Sequence, residues 1–328
     1  MKNVGREILL AVFLGMVVPA LLLSLAVLLI PGKAPEPPAS GGTTAGTEAG
    51  VSPSAAQMCI SVLGEDGLVT EMALEDYLTG VLLAEMPADF EPEALTAQAV
   101  FSGTYALRRA ARGSRHPGAA VCTSPACCQG YTAPESYLAA GGTQESVDKI
   151  RSAVTAVSGQ VLTYDGELIE ATFFSCSGGS TEDAVAVWGS DVPYLQATPS
   201  PGEENAAHYS DTVTFPLGEF TAALGITLTG SPEDWFTGAN YTDGGGIASI
   251  TIGGEAFTGV ELRNLLNLRS TDMAFSSDGQ TVTVVTHGYG HRVGMSQYGA
   301  QAMALAGSSY DEILAYYYQG TTLERLDD

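Results

Sequence analysis

Apolar and polar positions follow three successive rhythms along the chain. From Ile8 to Ile30 the residues run without a charge, relieved only by Gly15, Pro19 and Ser24. A stretch of about 20 apolar residues is long enough to cross a bilayer as a helix. Lys2 and Arg6 precede it and keep residues 1–7 in the cytoplasm by the positive-inside rule. The alternative is a cleaved signal peptide, whose apolar core is shorter and ends in a small-x-small cleavage site. Here the run ends in Pro-Gly-Lys-Ala-Pro, which favours an uncleaved single-pass anchor over 8–30. Residues 31–56 are then dominated by Pro, Gly, Ser, Thr and Ala with almost nothing to bury, the composition of a flexible linker.

The third rhythm, from residue 57 to 328, is that of a folded extracytoplasmic domain. Cys59 to Val62 reads as a strand ahead of a Gly-Glu-Asp-Gly turn. Leu74, Leu78, Val81 and Leu82 recur at three- and four-residue steps and predict a helix over 72–85. Pro87 ends it, because the residue before a proline is pushed out of helical geometry. Pro92 suits the first position of a second helix that runs toward Arg109. Residues 113–131 form a loop rich in Pro, Gly and Cys, and 150–157 are helical. Gln160–Tyr164 and Leu168–Phe174 read as paired strands around Asp165-Gly166. Strands and short helices mix from 209 to 285, with a helix at 262–268, and the chain closes on helices at 297–306 and 310–318. Early helices and later strands predict an α+β fold, with mixed helices and antiparallel strands around one catalytic cleft. The anchor and the linker precede it.

Charge narrows the function. The 328 residues carry 37 acidic against 13 basic side chains, a net charge of -24. Such a surface repels nucleic acid, so no nucleic-acid partner is expected. Arg108, Arg109, Arg112 and Arg115 stand together, as either a solvated basic helix end or a local anion site.

Three constellations could carry chemistry. Glu85 follows Leu82 by three, Val81 by four and Leu78 by seven, which places a carboxyl on the apolar stripe of its helix. Desolvation there raises the pKa and keeps the acid protonated, as glycosidic-bond cleavage needs; the bland reading is a helix-end glutamate bent out to water. His116, Cys122, Cys127 and Cys128 fall within 13 positions of one loop and offer the donors zinc prefers, although outside the cytoplasm a disulfide competes. Five cysteines leave at least one unpaired in a fully oxidised monomer. The third segment runs from Thr286 to Ala300. His287 and His291 stand four apart, but Gly288 and Gly290 argue against a helical metal pair, and Ser296 lacks the second glycine of a nucleophile elbow. The segment reads as a glycine-rich loop that approaches a ligand, with a shorter hydroxyl-rich echo in Ser175 to Thr181.

Taken together these segments resemble the stage II sporulation protein D family. The carriers are Leu83-Ala84-Glu85-Met86-Pro87, Glu93-Ala94-Leu95 with Ala97-Gln98-Ala99, Thr104-Tyr105, Phe174-Ser175-Cys176-Ser177-Gly178-Gly179, and Gly290-His291 with Val293 to Ala300. They lie in colinear order over residues 58–325. The resemblance implies a lytic transglycosylase that cleaves the bond between N-acetylmuramic acid and N-acetylglucosamine in peptidoglycan strands stripped of stem peptides, leaving 1,6-anhydromuramic ends during forespore engulfment. It implies Glu85 as the catalytic acid/base, with Gln98, Tyr105, Ser175, Ser177, His291, Ser296, Gln297 and Tyr298 as substrate-binding candidates. It implies a structural zinc loop of the form His, five residues, Cys, then His-Cys-Gln, in which Cys127 takes the place of the second His. A cell-wall amidase and other engulfment membrane proteins are the implied partners, and the mother-cell membrane facing the forespore is the implied location. Thr96 and Gly103 stand where the family usually has Lys and Arg, and Arg292 where Gly is common. The rival functions are a non-catalytic glycan-binding partner that activates or recruits an amidase, and, more distantly, a zinc-dependent hydrolase.

Overall fold

A computed structural model describes residues 58–326. A hairpin opens it, β1 (Cys59–Leu63) and β2 (Val69–Ala73), and leads directly into α1 (Leu74–Glu85). Glu75 and Asp76 complement the dipole at the start of α1, and Met86, extended ahead of Pro87, stops it. The next helix, α2 (Pro92–Arg112), begins on its proline and ends at Gly113, whose φ of 87° closes off a helical continuation. Its first half is buried on every side, because α2 is the axis of the body. Next come β3 (Val121–Cys122), α3 (Pro134–Ala139) and α4 (Gln144–Ala156), followed by β4 (Gln160–Tyr164), β5 (Glu167–Leu168) and β6 (Phe173–Phe174).

After α5 (Ala184–Trp188) the chain enters a second layer. This holds β7 (Ser210–Pro216), α6 (Leu217–Leu224), β8 (Phe236–Tyr241), β9 (Ile247–Ile252), β10 (Glu255–Phe257), α7 (Gly259–Leu265), β11 (Asp272–Ser277) and β12 (Thr281–His287). It then returns through β13 (Met295–Ser296), α8 (Gln297–Leu305), α9 (Tyr310–Tyr317) and β14 (Thr322–Arg325).

Two hydrophobic cores result. The larger gathers α1, α2, α4, α8 and α9 around Tyr77, Leu82, Leu95, Phe101 and Ile150, all within 0% of exposure. The smaller lies between the sheets β10-β9-β8 and β11-β12-β7 and is filled by Phe220, Ile252, Leu262 and Val284. Ser210 and His287 pair directly, so the chain leaves and re-enters the larger body at one point.

The fold expectation needs correcting in three respects. The anticipated membrane-spanning helix at 8–30 lies outside the described residues, as do the N-terminal segment 1–7 and the linker 31–56. No helix among the described residues is long and apolar enough to cross a membrane, so the structure supports the α+β body alone. The strands are not all antiparallel: β1 runs parallel to β3 and β6 parallel to β13, each bringing distant segments side by side. The expected strand over 168–174 is divided. Its first residue pairs with β4 around Asp165 and Gly166, both at positive φ, whereas Phe173 and Phe174 pair with Met295 and Ser296. Apolar alternation continues across the break because both halves face the same core.

Candidate active site

A cleft of about 430 Å³ opens at the end of α1. One wall is Glu85 with the loop around Pro125, Cys128 and Gln129, and Tyr105 of α2. The other is the segment 171–175 with Tyr289, Gly290, His291 and Gln297. The parallel pairing of β6 with β13 builds this second wall, since it sets the Phe174 loop beside the glycine-rich loop. The two walls are tied at their base, where Gln297 Nε2 donates to the Glu85 carbonyl at 3.1 Å.

The Glu85 carboxyl is half-buried, and Gly130 donates its backbone N–H to Oε1 at 2.5 Å. Burial raises the pKa of the acid, while the Gly130 bond works in the opposite direction. That contact requires glycine. A Cβ at 130 would lie 2.9 Å from Glu85 Oε1 and 3.3 Å from the Ala84 Cβ. Glu85 is the one carboxylate among the residues that line the cleft. Tyr105 has its hydroxyl pushed up to about 12 by burial and by the neighbouring Cys128, so it stays a neutral donor.

His291 is held in the neutral form. Burial and the nearby Arg263 cation lower its pKa to about 4, and Val293 N–H donates to its Nδ1 at 3.1 Å. Its ring touches Phe174 and Trp188, with centroids at 5.8 and 5.4 Å. Gly294 follows at φ 87°, where a Cβ would collide with the Thr172 carbonyl, so the dense glycine here serves close backbone approach between the two loops.

The remaining candidates from the sequence lie elsewhere. Gln98 is fully buried in α2, donating to Ser102 Oγ at 3.2 Å. Ser177 is buried and donates its hydroxyl to Glu203 at 2.8 Å. Ser296 caps α8 by accepting from Gly299 N–H, and Tyr298 packs edge-on against Phe90. Thus Glu85, Tyr105, Ser175, His291 and Gln297 share the cleft, and Gln98, Ser177, Ser296 and Tyr298 do not line it. Thr96 and Gly103 are also buried in α2, with Gly103 turned toward Leu78, and neither lines the cleft. The arginine cluster is neutralised in part: Arg108 and Arg109 both pair with Glu170, and Arg112 with Glu167.

Sequence reasoning missed Gln129, Phe173, Thr172 and Tyr289 as cleft residues, although Tyr289 sits inside the glycine-rich segment. It also missed a buried polar network behind the second wall. Arg292, 1% exposed and at φ 64°, donates Nε to Ser177 O at 2.7 Å and NH2 to Ser180 O at 2.9 Å and Gly244 O at 2.6 Å. Its NH1 lies 3.3 Å from Oε1 of Glu182, which is itself 0% exposed. Glu203, beside it, accepts from Cys176 Sγ, from the Ser177 N–H and from the Ser177 hydroxyl. These residues fasten the 177–182 loop and the second core, through Thr242 and Gly246, to the glycine-rich loop.

Adjoining the first wall, the ligand atoms of His116, Cys122, Cys127 and Cys128 lie within 4.8 Å of one another, a group able to hold a metal ion. His116 Nε2 is 3.5 Å from Cys127 Sγ and 3.4 Å from Cys128 Sγ. Cys122, Cys127 and Cys128 are not joined in disulfides. Cys128 lines the cleft, and two residues later Gly130 reaches Glu85.

The chain is similar in sequence to known proteins over most of its length. The sequence model of the stage II sporulation protein family matches residues 64–164, which hold Glu85, α2 and the His/Cys loop. The chain is 40% identical over 264 residues to stage II sporulation protein D of Bacillus subtilis (strain 168), covering 79% of this chain and 76% of that one. It is 38% identical over 263 residues to stage II sporulation protein D of Bacillus amyloliquefaciens, with the same coverage of 79% and 76%. An amidase enhancer of Bacillus subtilis (strain 168) is 29% identical over 307 residues, 75% of this chain and 40% of its own length. The chain belongs to the stage II sporulation protein D family.

Proposed function

We propose that the cleft cuts peptidoglycan glycan strands by lytic transglycosylation during spore engulfment, with Glu85 as the one acid/base. The observation that carries this reading is a half-buried glutamate, raised in pKa, with no other carboxylate lining its cleft. Hydrolases of glycosidic bonds, retaining or inverting, use two carboxyl groups flanking the bond. A single acid suffices when the substrate supplies its own nucleophile. Protonated Glu85 gives its proton to the oxygen between N-acetylmuramic acid and N-acetylglucosamine, and the C1–O bond breaks. The resulting carboxylate then takes the proton of the muramic 6-hydroxyl as that oxygen closes onto C1, forming the 1,6-anhydro ring. The acid ends in its starting state, and no water is consumed. Neutral His291, Tyr105 and Gln297 offer hydrogen-bonding groups around that path without adding a competing charge.

The donor set fits zinc. Four ligands at Zn–S of about 2.3 Å and Zn–N of about 2.0 Å in a tetrahedron stand roughly 3.5 Å apart, close to the 3.4 and 3.5 Å edges between His116 and two of the thiols. His116, Cys122, Cys127 and Cys128 would fill all four positions, so the ion would supply structural cross-linking and not a bound water. What it would steady is the turn that presents Cys128, Gln129 and the Gly130 N–H to the cleft.

The test is incubation of the protein with peptide-free glycan strands, read by mass spectrometry beside a Glu85→Gln control. Anhydromuramic ends from the unaltered protein alone are the expected result. Ends that have gained water would replace this reading with hydrolysis. The similarity to an amidase enhancer favours one second reading, a glycan-binding activator of a wall amidase. Strand binding without cleavage, together with faster amidase turnover that survives Glu85→Gln, would establish it instead.

A further inference from the structure

The cleft is too small to hold a polymer, so a strand that reaches Glu85 must continue across the surface on either side. On the His291 side the surface is aromatic. Trp188 is 43% exposed and stands with its ring 5.4 Å from His291, which in turn packs 5.8 Å from Phe174 in the cleft. The three rings form an unbroken row from outside the cleft to its wall. Across the loop Tyr289 is 41% exposed and lines the cleft as well.

An indole left this open loses the burial that would otherwise stabilise it, and large exposed apolar surface marks a contact site. Nor is Trp188 loose. It closes α5, whose first residue donates to the Leu195 carbonyl at 3.0 Å and whose preceding Asp183 accepts the Ala197 N–H at 2.7 Å. Gly189, left-handed at φ 73°, returns its N–H to Val185 O and ends the helix just beyond the ring. A rigid, solvent-facing indole continuous with a cleft suits the apolar C–H face of a pyranose, which carries no charge to be repelled by an acidic protein.

We infer that Trp188 is the stacking platform of an outlying saccharide subsite, which holds the N-acetylhexosamine units of the strand beyond those bound at Glu85. The inference rests on the reading of the cleft as a glycan site, but it is tested by binding and not by cleavage.

The chain has only two tryptophans, and Trp235 is buried at 5% exposure with its indole N–H on the Thr229 carbonyl. Intrinsic fluorescence therefore reports Trp188 in the presence of saccharide. The full chain carrying Glu85→Gln would be titrated with N-acetylglucosamine oligosaccharides of increasing length. A saturable emission shift with the longer oligomers is expected. Trp188→Phe should retain their affinity while losing the shift, and Trp188→Ala should weaken the longest oligomer roughly tenfold, the effect of a lost stacking contact worth about 1.4 kcal/mol. Emission unchanged at saturating oligosaccharide, or Trp188→Ala binding as tightly as the parent, would overturn the inference. Cleavage failing while the fluorescence shift persists would sink the transglycosylase reading and leave the platform standing. Normal cleavage with a silent Trp188 would do the reverse.

Discussion

Replacing Arg292 with glycine sets two large effects against each other. The backbone gains, because φ 64° strains a non-glycine residue by about 1–3 kcal/mol. The side chain loses more. Three carbonyls give up a charged donor, and Glu182, 0% exposed, is left without its cation. Breaking a buried ion pair by deleting one partner costs about 3–5 kcal/mol. The balance is a loss of roughly 2 kcal/mol, or about 4–8 °C in Tm for a body of this size. Burial already raises the pKa of Glu182, with Arg292 as the leading opposing influence. Without the arginine the folded-state pKa moves further above the unfolded value, so the folded variant holds its proton more tightly than the unfolded chain. Its stability is therefore retained in acid and lost as the pH rises through the raised pKa. Thermal melts followed by circular dichroism should show the deficit larger at about pH 8 than at about pH 5, and Glu182→Gln in the same chain should recover part of it. A Tm equal to that of the parent at both values, or a deficit that widens toward acid, would refute the reasoning.

Other outcomes follow from the cleft. Glu85→Gln should reduce formation of anhydromuramic ends at least about a hundredfold, the usual weight of a general acid, with the melting curve unchanged. Because the acid must be protonated to act and burial raises its pKa, kcat/KM should fall on the alkaline side, at a pH above the ordinary glutamate range. Gly130→Ala pushes the carboxyl off its N–H donor, removing the interaction that lowers the pKa, so the same limb should shift upward in pH while the maximum rate drops. With the His/Cys loop as a metal holder, the protein incubated with zinc should retain the ion by elemental analysis, and Cys122→Ser or prolonged chelation should remove it and lower the Tm; a metal content unaffected by the substitution would discount the loop as its holder. The His291 imidazole should remain neutral in NMR titration down to about pH 5, given its pKa of about 4.

What the sequence disclosed depended on how local the determinant was. The end of α1 at Met86, the start of α2 at Pro92 and the position of Glu85 on the apolar stripe all follow from spacing within a dozen residues. The four His/Cys donors were legible for the same reason, since one loop carries them all. The second wall was not, because it depends on Phe173 finding Met295 across more than a hundred residues, and period-2 patterning carries no such address. The resemblance nominated Ser177, Ser296 and Gln98, which the fold sets outside the cleft lining, where their hydroxyl or amide groups serve a buried glutamate, a helix cap and a neighbouring serine. Trp188 gave no signal at all. It is a single aromatic in a short helix, and only the fold sets it beside His291.

The direct pairing of Ser210 with His287 has a consequence for how such chains diversify. A segment whose two ends meet across one rung of a ladder can lengthen, shorten or be exchanged at little entropic expense to its host, because loop closure grows only with the logarithm of length. The Arg292 anchor then acts as a latch, and its replacement by glycine would free the cassette to drift in size and in the surface it displays. Variation between relatives should accordingly concentrate between these two residues, while the hinge point and the glutamate cleft beside it stay fixed in shape.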